Sequence, residues 1–311
     1  MLVQAIYAQI FVVCMTMFWL AFCHRRTPID ACLKIFAIAV ILVGLWLGGV
    51  WFYPPTYGLF ILAIILIALV FRHFKKPVTQ TPLWRSAISN IPALFLLLPL
   101  GAFTAWQGLT GRLEPVGEFV DLQSPFAEGR EICVLSGGIS PLLNFHIFPS
   151  DKPRDLAQIY ALDFIGKNSL GFRTVEGSFS VKPKALNQYT IYGEDVFAPC
   201  AGLVIKFENN HPEQPIGGSD KVNTGGNGIV LQCGNYHVHL HHLKKGSVLT
   251  PLGSHVTIGQ KLGVIGNSGN TIEPHLHFHA ETIIEAGNPN AHGDPVHMRI
   301  DGRFLASGDC L

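Results

Sequence analysis

The chain has 311 residues, of which 49% are hydrophobic and only 14% are charged, and its formal net charge at pH 7 is +1. No basic stripe with interleaved aromatic residues appears, which excludes nucleic acid as an expected partner. Up to residue 107 the only acidic residue is Asp30, against seven Lys and Arg, whereas the remainder carries 20 acidic and 15 basic residues. We therefore predict a membrane region over 1–107 and a mildly acidic soluble part after it.

Four apolar stretches in the first third are long enough, at about 20 residues, to suggest spanning helices. They cover approximately 2–23, 33–53, 57–71 with its flanks, and 88–106. We predict four transmembrane α-helices, so the lipid bilayer is an expected partner. Whether this region only anchors the protein or also contacts other membrane proteins stays open.

Basic residues in two loops predict the orientation of this region. Arg25 and Arg26 lie between the first two stretches, and Arg72, Lys75, Lys76 and Arg85 lie between the last two, whereas the loop 53–57 has none. Under the positive-inside rule both basic loops are cytoplasmic, so the part after 107 faces outward. This predicts a multi-pass membrane protein whose soluble domain lies outside the cytoplasm. The alternative, a cleaved signal peptide, lacks a basic start and a small-x-small cleavage site.

The soluble part is predicted to be all-β and antiparallel, with its active groove across one sheet. We expect a linker and domain entry over 108–129 and a β domain over 130–311. Short runs of strand-forming residues alternate with Gly, Pro and Asn turns, and helical periodicity is largely absent. These runs cover 132–135, 160–165, 202–207, 228–233, 236–242, 262–265 and 275–281.

The run His-Leu-His-Phe-His at 275–279 is the most informative motif of the chain. Alternate residues of a strand share one face, roughly 6.6 Å apart at ~3.3 Å rise per residue. That spacing lets one imidazole bind a metal while its neighbour reaches the water on the metal. Imidazole is a common zinc ligand, and catalytic zinc sites keep one position open. The pattern favours a metal-dependent hydrolase, with a histidine-rich solvated strand as the alternative.

A second histidine-rich run, His237-Val238-His239-Leu240-His241-His242-Leu243, follows a glycine-rich turn and a strand. Alternation predicts that His237, His239 and His241 share a solvent-facing side. It places His242 in the apolar, core-facing row with Val238 and Leu240, at the rim of the sheet, where an imidazole can face a site.

Together these residues resemble the lysostaphin-like (LytM-type) zinc metallopeptidases, which cut peptidoglycan peptides. The resemblance covers about residues 130–305. It is carried by Ala198-Pro199-Cys200-Ala201-Gly202-Leu203-Val204, Leu240-His241-His242-Leu243, Val256-Thr257-Ile258-Gly259-Gln260-Lys261-Leu262-Gly263, Gly266-Asn267-Ser268-Gly269-Asn270-Thr271 and Pro274-His275-Leu276-His277-Phe278. The linked set is far more specific than any one of these motifs.

The resemblance implies that Asp163 and His277 bind zinc. The family's first histidine ligand lies four residues before the aspartate, where this chain has Ile159, which cannot bind a metal. We predict that His146 replaces it, as in relatives that carry "asparagine, x, histidine" well before the aspartate. A polar, proline-bearing insertion over 148–158 need not separate His146 from Asp163, because loop closure costs only ~0.6 kcal/mol per doubling of length. The alternative is a loop histidine with no metal.

His242 and His275 resemble the two catalytic, non-ligand histidines of the family. One would take the proton of the attacking water, and the other would stabilise the oxyanion or protonate the leaving amine. His279 is either a group that orients a ligand or a surface imidazole. The resemblance also makes a Cys200–Cys233 disulfide a candidate, with two buried thiols as the alternative.

Two functions follow from these expectations. The first is a membrane-anchored zinc endopeptidase acting on peptidoglycan cross-links or stem peptides. The second is an inactive LytM-type module that binds or regulates cell-wall hydrolases, which Ile159 favours. Presence of His242, His275, Asp163 and His277 together favours the enzyme.

Overall fold

A computed structural model describes residues 2–22, 28–49, 57–76, 84, 88, 90–147, 150–176, 178, 183–285, 288 and 290–311. These residues form two compact units, Met1–Thr110 and Gly111–Leu311. Several residues used above to predict orientation, namely Arg25, Arg26, Arg85 and the loop 53–56, lie outside the described residues.

The first unit is helical where the sequence predicts helices. Its helices are α1 (Leu2–Phe22), α2 (Pro28–Gly48), α3 (Tyr57–Lys75) and α4 (Leu98–Thr110), and a π-helical segment, Pro92–Leu97, leads into α4. Within the described part of the chain, one helical stretch, Asp30–Gly48, is long and apolar enough to cross a membrane. Two others, Gln9–Phe22 and Leu94–Thr110, are shorter. The structure thus supports one candidate span, near the N-terminus, where four were predicted.

Glycines allow close packing of α2 against α4. A Cβ on Gly101 would lie 2.7 Å from the Cα of Ile41, and one on Gly108 would lie 2.6 Å from the carbonyl carbon of Leu47. Small residues at such positions let two helix backbones approach closely, as in membrane helix pairs. Lys34, which is buried in α2, pairs with Asp30 one turn earlier at 2.7 Å, so both charges are compensated.

The second unit is mostly β, as predicted. Its described strands are β1 (Phe119–Leu122), β2 (Ile132–Ser136), β3 (Leu162–Gly166), β4 (Asp195–Phe197), β5 (Gly202–Glu208), β6 (Asn227–Cys233), β7 (Tyr236–Leu243), β8 (His255–Val256), β9 (Lys261–Val264), β10 (Leu276–Thr282), β11 (Pro295–Ile300) and β12 (Arg303–Phe304). A short helix, α5 (Pro153–Ala157), lies in the insertion between β2 and β3, and a 3-10 turn covers Leu186–Gln188.

Strand β10 lies in the middle of the main sheet, whose order is β1-β11-β10-β7-β6-β5-β8. Along one edge it pairs with β7, and along the other it pairs first with β3 and then with β11, always antiparallel. The sheet is not wholly antiparallel as expected, because β1 pairs with β11 in parallel. Strand β1 also lies within the segment predicted as a linker.

One face of the central strands packs on the hydrophobic core. Leu276 and Phe278 of β10 and Val238 and Leu240 of β7 are completely buried there. Phe164 of β3 is also fully buried and packs near Phe278 with ring centroids 6.3 Å apart. The residues that alternate with them point to the other face of the sheet, which carries the histidines.

Two disulfides close the β unit. Cys200 and Cys233 are bonded, which confirms the predicted pair, and Cys133 and Cys310 form a second bond that joins β2 to the C-terminal end. The second pair was not predicted, because nothing in the sequence places residue 310 beside β2.

Candidate metal centre

Strand pairing brings a carboxylate and an imidazole together on the face opposite the core. Asp163 of β3 lies directly across from His277 of β10, whose other neighbour is His241 of β7. The Oδ1 atom of Asp163 is 3.0 Å from Nδ1 of His277. This contact follows from the register, because residues directly opposite on antiparallel strands have adjacent side chains.

His146 completes the group from the loop that follows β2. Its Nε2 lies 3.5 Å from Oδ2 of Asp163, and its ring is 4.8 Å from that of His277. Each of the three residues offers one ligand atom, and these atoms lie within 4.8 Å of one another. The insertion between His146 and Asp163 therefore does not keep the two predicted ligands apart.

Asn144 holds the His146 loop in place. Its side chain is completely buried, and its amide donates hydrogen bonds to the carbonyls of Gly138, Ile159 and Ala161. Its Oδ1 accepts from the backbone N–H of His146 at 3.0 Å and lies 3.1 Å from Nδ1 of that ring. Because Nδ1–H of His146 is directed at Asn144, Nε2 is left to face Asp163. Ile159 contributes a backbone carbonyl to this arrangement.

The pKa values of His146 and Asp163 suit the binding of a cation. Burial lowers the pKa of His146 to about 4, so its ring is neutral at physiological pH. Burial alone would raise the pKa of Asp163, but His146, His275 and His277 outweigh it and hold the pKa well below its usual range. Two imidazoles with one carboxylate are a donor set found in catalytic zinc sites, so these residues fit the metal that the sequence implies.

His242 and His275 lie beside this group with their rings 4.6 Å apart. Nδ1 of His242 donates to the carbonyl of Ser268 at 2.8 Å, and Nδ1 of His275 donates to the carbonyl of Glu273 at 2.8 Å. The Nε2 atom of His275 is 3.7 Å from Oδ1 of Asp163. Since Nδ1 is the donor in both rings, Nε2 is the nitrogen of each ring that can accept a proton.

The backbone conformation of His242 turns its side chain towards the groove, which strand alternation does not predict. Its φ is 67°, in the left-handed region, so the chain turns at the end of β7. His242 therefore leaves the core-facing row in which the sequence placed it, and its ring lies 5.8 Å from that of His277. Gly226, at φ 59°, allows the adjacent turn to approach Ser268, because a Cβ there would be 2.4 Å from the carbonyl carbon of Ser268.

The prediction that His237, His239 and His241 face solvent is wrong. His237 and His239 are buried, with 0% and 3% of their surface exposed, and His241 is half-buried. They lie opposite Glu281, His279 and His277 of β10, on the same face as the metal-binding group. Alternation correctly placed the three on one side, but it could not show that other residues cover that side.

His279 is buried, and its Nδ1 lies 3.0 Å from Nε2 of His277. It can therefore orient the ring of His277, as partners of metal-binding histidines generally do. Sequence reasoning missed Asn144, which holds His146, and Glu281, which contacts His239 on the same sheet face. Asn144 had a usable signal, because it begins the "asparagine, x, histidine" motif, whereas Glu281 had only its alternation with His277 and His279.

One groove of about 740 Å³ on the β unit is lined by the predicted site residues His146, Asp163, His242, His275 and His277, together with His279. The groove is lined by residues of the His146 loop, the α5 insertion, the turns at 222–226 and 270–272, and β7 and β10. A groove of this volume can receive an extended peptide segment.

Comparison with known proteins supports a peptidase domain in this part of the chain. Residues 184–296 match the model of Peptidase family M23. Over 100 residues the chain is 34% identical to the peptidoglycan DD-endopeptidase ShyA of Vibrio cholerae, a match that spans 32% of this chain and 20% of that protein. The chain thus spans about a fifth of the length of this curated relative.

Solved structures show weaker likeness. A zinc-containing peptidase from Vibrio cholerae is 19% identical, with a TM-score of 0.31, over 56% of this chain and 37% of that one. Lysostaphin from Staphylococcus simulans is 17% identical, with a TM-score of 0.25, over 58% and 47% of the two chains. The family match includes His242, His275 and His277. It begins at residue 184, after His146 and Asp163, so it does not include these two residues. Residues 184–296 are thus similar in sequence to peptidases of family M23.

Proposed function

We propose that the protein is a membrane-anchored zinc metalloendopeptidase that hydrolyses peptide bonds in peptidoglycan cross-links or stem peptides. The observation that carries the proposal is the convergence of His146, Asp163 and His277 beside two histidines whose Nε2 atoms are free. The similarity of the domain to a peptidoglycan endopeptidase supports this substrate class.

His146, Asp163 and His277 would hold the metal, and His279 and Asn144 would orient two of these ligands. When bound there, zinc lowers the pKa of water toward ~7 and polarises a carbonyl group. One of His242 and His275 accepts the proton of the attacking water at Nε2. The other stabilises the oxyanion or returns a proton to the leaving amine.

A direct test measures the zinc content and peptidoglycan hydrolysis of the purified full chain. We expect bound zinc and soluble peptide fragments from purified sacculi, and we expect Asp163→Asn to release no fragments. Asn keeps the shape of Asp163 but removes its charge, so the loss would reflect metal binding rather than unfolding. Equal hydrolysis by the wild type and Asp163→Asn would contradict the proposal.

The second candidate, an inactive module that binds or regulates cell-wall hydrolases, is favoured by Ile159 at the usual ligand position. It predicts that the zinc-loaded protein releases no fragments from sacculi while still binding them. The proposed enzyme and this module differ in fragment release, which is therefore the deciding measurement.

We also place the domain outside the cytoplasm, held by the N-terminal apolar region. Asp30–Gly48 supports one anchoring helix, and the two disulfides of the β unit are typical of an oxidising compartment. The four-span topology belongs to this proposal, as does the inner membrane as its location.

A further inference from the structure

A second group of side chains that could bind a metal lies on the same sheet face, and of its members only His279 has a role above, in orienting His277. His239, His279 and Glu281 are almost completely buried, and each offers one ligand atom within 4.8 Å of the others. Their proximity follows from the β10–β7 register, in which His279 lies opposite His239, and Glu281 lies opposite His237.

Glu281 is a fully buried carboxylate surrounded by imidazoles. Its Oε1 lies 2.9 Å from Nε2 of His239 and 3.9 Å from Nδ1 of His237, and its Oε2 lies 3.2 Å from Nδ1 of His292. These contacts matter because a buried carboxylate is energetically unfavourable unless hydrogen bonds or an opposite charge compensate it. The Glu281 carboxylate and the ring nitrogens around it together offer several donor atoms to a cation.

Not every buried ring nitrogen around Glu281 has a hydrogen-bond partner. His237 is completely buried, and within the described residues neither of its ring nitrogens has a hydrogen-bond partner. The rings of His239 and His279 stack with centroids 4.2 Å apart and planes at 14°, so they do not bond to each other edge to edge. A buried polar group without a partner is unfavourable, and an ion bound nearby can offset this cost by reorganising these rings.

We propose that His239, His279 and Glu281 form a second binding site for a divalent transition metal, with His237 and His292 available as further ligands. Imidazole and carboxylate together suit zinc and its neighbours in the first transition row rather than calcium or magnesium. Ligand atoms in a tetrahedral zinc site lie roughly 3.4 Å apart at bond lengths of 2.0–2.2 Å, so the three side chains close slightly around the ion.

The second site adjoins the first through one contact. His277 directs Nδ1 at Asp163, and its Nε2 lies 3.0 Å from Nδ1 of His279. His279 would therefore contact a ligand of one ion while binding the other. This proposal does not depend on hydrolysis, since it concerns only which residues bind metal.

The test isolates the second site in the full-length protein. In a His146→Ala/Asp163→Asn variant the first site has lost two ligands, and we expect about one Zn²⁺ to bind when the metal-depleted protein is titrated by calorimetry. Adding Glu281→Gln should weaken this binding at least 10-fold. The matched control, His255→Gln, alters an exposed imidazole of β8 and should leave binding unchanged.

Cobalt provides a second readout that needs no change at Glu281. Co²⁺ added to the His146→Ala/Asp163→Asn variant should give a visible absorption band that appears with one equivalent and is displaced by Zn²⁺. Absence of both zinc binding and the cobalt band in this variant would overturn the proposal. Zinc affinity equal with and without Glu281→Gln would also overturn it, provided that circular dichroism shows both proteins folded.

Discussion

Whether His146 supplies the ligand missing at Ile159 can be tested at single residues. His146→Ala removes an Nε2 atom 3.5 Å from Asp163, so we expect most of the zinc at this site to be lost. Ile159→Ala should keep the metal, because Ile159 contributes only its backbone carbonyl, which bonds to Asn144. Metal analysis before and after dialysis against a weak chelator would show the difference. Zinc at this site unchanged in His146→Ala would rule out His146 as a ligand.

The roles of the ligands and the proton carriers should separate in another pair of variants. His275→Ala and His242→Asn should retain zinc but lose about 10²–10⁴-fold in hydrolysis, because each removes one free Nε2 atom. Asn is chosen at 242 because it tolerates the positive φ found there. His255→Ala, at an exposed position of β8, is the control and should keep full activity. Loss of metal from either test variant would assign that histidine to the metal instead.

The sequence predicted which residues lie together in the groove better than it predicted their surroundings. Asp163 and His277 followed from motif resemblance, and their 3.0 Å contact is consistent with that assignment. The position of His242 depended on a positive φ, which no residue type dictates. Burial of His237 and His239 depended on the loops that cover the sheet, and the period of a strand shows which residues share a face but not which face is covered.

At the scale of elements, most strands were predictable because apolar residues alternate between well-marked turns. Strand β1 was not predicted, because Phe119–Leu122 is short and pairs with β11 in parallel, far along the chain. The four helices of the first unit were predicted from apolar composition. Composition could not show the close approach of α2 and α4, which depends on Gly101 and Gly108 meeting backbone atoms of the facing helix.

The two disulfides should differ in how much they stabilise the β unit. Cys133 and Cys310 are 177 residues apart, whereas Cys200 and Cys233 are 33 apart. In the chain-entropy model the longer loop contributes about 1.5 kcal/mol more, because more freedom is removed from the unfolded chain. Replacing the first pair by Ser should therefore lower the free energy of unfolding more than replacing the second, as measured by urea denaturation. A larger loss from the Cys200–Cys233 pair would mean that native-state packing outweighs loop length.

At the scale of the whole molecule, charge and disulfide distribution both bear on the proposed membrane orientation. The first 107 residues carry seven Lys and Arg against one acidic residue, and the described cysteines of that region, Cys14 and Cys32, are free. Both disulfides lie in the β unit. Since disulfides persist outside the cytoplasm and the positive-inside rule would keep basic loops within it, our proposal places the β unit on the outer side.

Reporter fusions test this orientation and, with it, the proposed substrate. A reporter that is active only outside the cytoplasm should work when fused after Leu311 and fail when fused after Lys76, because the positive-inside rule keeps the second basic loop in the cytoplasm. A reporter active only in the cytoplasm should give the opposite pattern, which serves as the control for expression. Peptidoglycan lies outside the cytoplasmic membrane, so an enzyme acting on it must present its groove there. A Leu311 fusion that reports the cytoplasm would therefore exclude the cell-wall substrate even with zinc bound, and an intracellular peptidase or binding role would replace it.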